Sequence, residues 1–411
     1  MIIRNVMIIV LSLVALTCNG CGFGGFSGSN NTTGGSGGGQ STSSAETVLG
    51  GVASKGIIMN GTVRIYAIDS NGKVGSTIAE TTTDAEGNFS VSIKKYSGCV
   101  LVEVTNGTYI DEFTGLETTL AIPLHTVADL SSLNSQNLSG STPNSSPRLA
   151  ITPLTELAYR HVRTNLMTAA NISDANALLS RIFKVDIVGT MPVDLADFSS
   201  ADQSQRDYAL SLAALSKMAA DNGGLATVMD NLSGDVSDDG ILSVASSNSI
   251  KTALNDFLTS PNNTTSVHDI YQTNLVNIGG DMVAVVLATS GVLPPGKTIF
   301  GIETTLTLPP GVTLRADMNS LKPLTGIVTT SGKSPSGALI DARYTPPSGI
   351  TPGKVTVVLG SQSGFVTGEF ALVYCDLPPA TQASQAGPFT LTTLRAYDNE
   401  GALLPDVVAS Q

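Results

Sequence analysis

The chain contains no tryptophan, three histidines and four cysteines among 411 residues, and only 13% of it is charged. Each scarcity excludes something. None of His125, His161 and His268 has a neighbour at metal-ligand or nucleophile spacing. No serine sits in a G-x-S-x-G elbow, and no glycine-rich stretch follows a strand to open a phosphate-binding helix. Asp111-Glu112 is the kind of acidic pair a glycosidase uses, but sequence neighbours are expected to point to different places. His161 reads as a packing residue of a helix. The expectation is a protein that is not an enzyme and has no cofactor, with hydrolysis as a remote alternative. Beyond residue 21 only Cys99 and Cys375 remain, far apart in sequence, so free thiols rather than a disulfide framework are expected. Lys and Arg number 21 against 33 Asp and Glu, a net charge of -12, which leaves no basic face for nucleic acid.

Long apolar runs are also scarce. The one at the start, Val6 to Leu16, follows Arg4 and holds about ten apolar residues, too few to cross a bilayer core of about 30 Å but suited to a signal h-region. Cys18 and Cys21 lie just past it, where a bacterial lipoprotein carries its acylated cysteine, and the segment resembles a lipoprotein signal peptide. Cys21 follows Gly20, the small residue wanted beside the scissile bond. Cys18 follows Ala15-Leu16-Thr17 and is the alternative. A plain secretory signal with incidental cysteines is the other reading. Neither cysteine is followed by Asp, so the resemblance implies the outer membrane or cell surface, with a periplasm-facing orientation left open. Residues 1–20 are thus expected to be a signal peptide and 21–48 a Gly/Ser-rich tether too polar to fold alone.

Folded chain is expected from about Gly51. Thr62-Val63-Arg64-Ile65-Tyr66-Ala67-Ile68 alternates at period two, and Asp69-Ser70-Asn71-Gly72 closes a turn. Ile78 to Thr83, Phe89 to Ile93 and Val100 to Val104 continue the pattern, with Asp84-Ala85-Glu86-Gly87-Asn88 between the first two. Through its G-T-V-x-I-Y strand and its T-D-A-E-G-N-F turn, this stretch resembles the carboxypeptidase regulatory-like family. That resemblance implies a transthyretin-like β-sandwich over residues 50–128, an accessory module without chemistry. Asp84 and Asn88 read as turn residues rather than ligands.

A Ser/Asn/Pro linker runs from about Ser131 to Pro147, after which the period becomes 3.6. Thr152 and Pro153 open a helix with Leu154, Leu157, Ala158 and Val162 on one stripe. Tyr208, Leu212, Leu215 and Ala219 mark a second, and Ile250, Leu254, Phe257 and Leu258 a third. Residues 149–277 are expected to be all-α. Within them Asp235 to Ser246 matches the early positions of a calcium loop but has Ser246 where a bidentate Glu belongs. Calcium binding and a solvated acidic turn both remain open there, the turn favoured, and no metal site is assigned.

From residue 279 to 411 alternation returns, with strands expected at Met282–Leu287, Thr298–Leu308, Ala338–Tyr344, Lys354–Leu359, Glu369–Cys375 and Phe389–Tyr397. The run G-I-E-T-T-L-T-L-P-P-G-V-T-L, then G-K-V-T-V-V-L-G and G-E-F-A-L-V-Y-C-D-L, resembles a cohesin-type jelly-roll, a fold shared with some carbohydrate-binding modules. The resemblance implies a face that docks a protein partner, or a polysaccharide. Without tryptophan, the sugar platforms would be Tyr344, Phe370, Tyr374 or Tyr397, residues that at strand positions more often pack inward. The whole is expected to be a multidomain α+β chain: an N-terminal β-sandwich, a central all-α domain and a C-terminal jelly-roll-type β-sandwich. Its expected role is that of a non-catalytic, lipid-anchored lipoprotein displaying protein-binding or adhesive modules, or alternatively binding carbohydrate. No ligand-binding residues are assigned.

Overall fold

The computed structural model describes residues 46–136 and 146–410. The signal segment, Cys18, Cys21 and the middle of the linker therefore lie outside the described residues. Within them the chain is α+β, with helices flanked in sequence by antiparallel sheets.

The first part contains β1 (Val48–Ala53), β2 (Thr62–Ile68), β3 (Val74–Thr82), β4 (Asn88–Ser92), β5 (Cys99–Thr105), β6 (Thr108–Ile110), β7 (Glu117–Thr119) and β8 (Leu124–Asp129). One antiparallel sheet has the order β3-β2-β5-β8. Val63 and Ile65 of β2 are buried on the face its alternation marks, whereas Ile68, beyond an irregularity in the pairing with β3, is buried in a separate cluster with Leu101 and Val127. Turn chemistry sets the connections. Asp84 Oδ1 accepts from the N–H groups of Glu86 and Asn88 while Gly87 takes a φ of 72°, so Asp84 works as a turn residue.

The linker differs from its expectation at both ends. Leu130 is buried and Leu133 packs beside it, so the chain after β8 forms α1 (Leu130–Gln136) rather than an extended connection. After the linker, β9 (Arg148–Ile151) returns to pair in parallel with β1, giving a sheet of order β4-β1-β9. Gly51 permits this, because a Cβ there would sit 2.0 Å from the Leu149 carbonyl oxygen and 2.7 Å from the Phe89 ring.

The helices are α2 (Pro153–Val162), α3 (Ala169–Phe183), α4 (Gln203–Asp221), α5 (Leu225–Asp239) and α6 (Val244–Leu258). Thr152 caps α2 by accepting from the N–H groups of Leu154 and Thr155, with Pro153 at the first helical position. The stripes point inward: Leu154, Leu157, Tyr208, Leu212, Ile250 and Phe257 are all buried. They join Leu49, Val63 and Val102 of the strands in one hydrophobic cluster that runs from Leu49 to Ile278. Helices and N-terminal strands thus share a core.

The last part has its own core. Its strands are β10 (Met282–Ser290), β11 (Ile299–Thr307), β12 (Ala316–Asp317), β13 (Lys322–Pro323), β14 (Val328–Thr330), β15 (Leu339–Thr345), β16 (Lys354–Phe365), β17 (Glu369–Asp376), β18 (Thr390–Tyr397) and β19 (Val408–Ser410). Two antiparallel four-stranded sheets have the orders β14-β17-β10-β19 and β15-β16-β11-β18. Val285, Phe370 and Val373 of the first and Ile302, Leu306 and Val357 of the second belong to one buried cluster. No helix among the described residues is long and apolar enough to cross a membrane.

Candidate functional site

The acidic pair singled out in the sequence becomes a clasp between parts of the chain. Asp111 and Glu112, expected to diverge, converge: Lys55 Nζ donates to Asp111 Oδ2 at 3.2 Å and to Glu112 Oε2 at 3.1 Å. Lys55 also donates to Ser216 Oγ on α4, and its ammonium lies 5.1 Å from the Tyr109 ring centroid. A Ser–Lys pair can serve as nucleophile and base when the lysine is neutral. Here Lys55 is fully buried; burial opposes its charge, but Glu112 and Asp111 outweigh that and hold its pKa above the ordinary lysine value. Ser216 is 1% exposed, so both groups are closed off from solvent, and the cluster pins the N-terminal strands to the helices.

The histidines lie apart, in β8, in α2 and in the segment after α6. His125 Nδ1 is 2.7 Å from Glu156 Oε2 of α2, and its ring rests against Tyr159 with centroids 4.3 Å apart. His161 is half-buried and His268 exposed. Cys99 and Cys375 are free thiols, and burial pushes the Cys375 thiol far above its ordinary value. Among the described residues no three or more His, Cys, Asp and Glu are grouped to hold a metal ion. Asp235 to Asp239 form the last turn of α5 rather than a loop, because buried Val228, Met229, Leu232 and Val236 carry the helix through to its Gly240 cap. Asp235 accepts from the Ser243 N–H and Asp239 from the Ile241 N–H, so both serve the turn into α6.

A second clasp joins the helices to the last part. Asp376 accepts from Arg315 Nε and Nη2 at 2.9 and 3.0 Å and from Lys184 Nζ at 3.1 Å, and all three side chains are largely buried. Burial opposes the Asp376 carboxylate, yet Lys184 and Arg315 outweigh it and hold its pKa below the ordinary value. Burial also pulls Lys184 down, and Asp376, shared with Arg315, does not restore it. Nearby, Asn274 Nδ2 donates to Asp207 Oδ2 at 2.7 Å and to the Ala316 carbonyl at 3.1 Å. Gly280 sits where a Cβ would lie 1.8 Å from the Leu377 carbonyl oxygen.

Asp207 has the opposite sign. Burial pushes its pKa from 3.8 up to about 6, against the hydrogen bonds from Asn274 and Gln203. A raised carboxylate pKa means that ionisation counts against the folded state, increasingly as pH climbs from 3.8 to about 6. Stability measured by urea titration is therefore expected to be greater at about pH 5 than at about pH 7, by about 1 kcal/mol from this residue. Asp207→Asn removes that difference.

Of the four aromatics considered as sugar platforms, Tyr344 and Phe370 are 1% and 0% exposed and belong to the core, while Tyr374 and Tyr397 are half-buried. Tyr397 lies on the outer face of the sheet β15-β16-β11-β18. The register aligns four rows across that face. Tyr397, Gly301, Gly360 and Leu339 form one, and Arg395, Glu303, Val358 and Asp341 the next. Thr393, Thr305, Thr356 and Arg343 follow, then Thr390, Thr307, Lys354 and Thr345. Leu339 is 77% and Val358 49% exposed, and Arg395 stands 3.7 Å from Glu303. Outward Gly301, Glu303, Thr305 and Thr307 alternate with inward Ile302, Thr304 and Leu306. That alternation was readable, but not which strands would lie beside β11, so the sequence yields no face. No family model, curated protein or solved structure matches the chain.

Proposed function

We propose that the chain is a non-catalytic, lipid-anchored lipoprotein of the outer membrane or cell surface that displays a protein-docking face. In this reading Cys21 carries the lipid, residues 21–48 are the tether, and an N-terminal carboxypeptidase regulatory-like sandwich and the helices support a cohesin-like, jelly-roll-type sandwich. The observation that carries it is the open outer face of β15-β16-β11-β18. Exposed Leu339, at the corner of the face on edge strand β15, and Val358 in the next row stand beside Arg343, Asp341, Glu303 and Arg395, an apolar patch with charged neighbours of the kind that protein interfaces bury. Mixed charge on the face gives a partner orientation as well as area. Capture of a partner by the intact protein tests this. Leu339→Asp with Val358→Glu is expected to weaken capture by at least about tenfold while leaving thermal unfolding unchanged, since both side chains are exposed. Equal capture by both proteins would remove the face from the account.

One observation favours a second reading, polysaccharide recognition on the same face. Tyr397 sits against Gly301, its Cβ 3.8 Å from where a glycine Cβ would lie, and Gly360 beside it has nothing within 4 Å. A ring flanked by two side-chain-free positions makes a shallow strip for a sugar.

A further inference from the structure

A cleft of about 290 Å³ opens where α4 and the segment after α6 meet the β12–β13 turn. It is too small for a drug-sized ligand and comparable to a single sugar ring. Its floor is Arg206, 7% exposed. Arg206 Nη2 is committed to Gln203 Oε1 at 3.0 Å and Asp317 Oδ2 at 3.1 Å, whereas Nε and Nη1 have no acceptor among the described residues. Guanidinium donors held in a largely buried site favour an anionic acceptor with more than one oxygen. One wall is Tyr271, 50% exposed, whose hydroxyl has no partner among the described residues. The rim adds the amides of Asn319 and Gln272 and the hydroxyl of Ser199, and Gln272 Nε2 and both side-chain ends of Asn319 make no hydrogen bond among the described residues.

A buried cation at the floor, a half-exposed aromatic ring at the wall and uncommitted amides and hydroxyls at the rim form a complementary set. We propose that this cleft binds an acidic monosaccharide unit, a uronic-acid-type ring, with its carboxylate on Arg206, its apolar face on Tyr271 and its hydroxyls on Asn319, Gln272 and Ser199. The site is distinct from the docking face and does not rest on it. Its residues come from 198 to 346 in sequence, which is why no motif announces it.

The test is titration of the intact protein with glucuronate, glucose and acetate, followed by ligand-observed NMR. Glucuronate is expected to bind at least about tenfold more tightly than glucose or acetate. Tyr271→Ala, at an exposed position, is expected to weaken it by about tenfold, and Arg206→Gln to erase the preference for glucuronate over glucose. Should Arg206→Gln fail to fold, Asn319→Ala, also exposed, supplies the second variant, with a loss of about threefold or more expected. The Leu339→Asp, Val358→Glu protein is expected to bind glucuronate normally, which separates failure of this site from failure of the docking face. Equal binding of glucuronate and acetate, no binding of glucuronate, or indifference to Tyr271→Ala would each overturn the proposal.

Discussion

Replacing Lys55 with methionine is expected to cost about 3–5 kcal/mol of stability, more than any surface change in this chain. Methionine fills much of the same volume, so the loss is chiefly electrostatic. It leaves Asp111 and Glu112 facing one another in a buried pocket with no cation between them. It also removes the donor that reaches Ser216 across the boundary between strands and helices. Because those elements share one hydrophobic cluster, the whole of residues 49–278 is expected to unfold earlier in one transition. Urea denaturation followed by circular dichroism measures this. Asp111→Asn with Glu112→Gln in the Lys55→Met background is expected to recover part of the loss. A cost below about 1 kcal/mol would show that the cluster is solvated and not a clasp.

Asp376→Asn is expected to be the other large change, also about 3–5 kcal/mol, but with a different signature. Among the described residues Asp376 is the one carboxylate paired with both Lys184 and Arg315, so its loss leaves two buried cations together. The last part keeps its own core, and the damage falls on its junction with the helices. Separate transitions for the two parts, and protease cutting near Gly279-Gly280, are therefore expected where the unaltered protein shows neither. The pH dependence has a defined sign. Asp111 and Asp376 have pKa values held below 3.8, so their contribution is present above that value and lost as pH falls through the lower folded value. A single undisturbed transition in Asp376→Asn would mean that the junction is held by other contacts.

The strands and helices were legible where one local period governed them. Val63 and Ile65 in β2, and Leu154, Leu157, Ala158 and Val162 after Thr152-Pro153, declare their inward faces from spacing alone. What escaped is long-range. Nothing near Arg148–Ile151 says that these residues return to β1, and only Gly51, a position with no room for a Cβ, hints that another backbone comes close. Asp111 and Glu112 converge because a lysine over fifty positions away lies between them, which neighbour logic could not foresee. The acidic run favoured as a turn between helices starts inside one of them for a related reason. Its acidic spacing resembles a loop, but the apolar period of Val228, Leu232 and Val236 extends the helix beneath it. The proposed docking face and the cleft depend on strand order and on the meeting of distant segments, so apart from Tyr397 their residues carried no local signal.

The reading of this chain as an anchored display protein rests first on its N-terminus. The most direct measurement is the intact mass and N-terminal peptide of the protein extracted from membranes of cells expressing it. The account predicts a chain that begins at Cys21 with lipid attached to its sulfur. A lipid-modified start at Cys18 would keep the anchor and move it to the alternative cysteine. A chain cleaved elsewhere without lipid, or one still carrying residues 1–20, would contradict the anchored display protein proposed here.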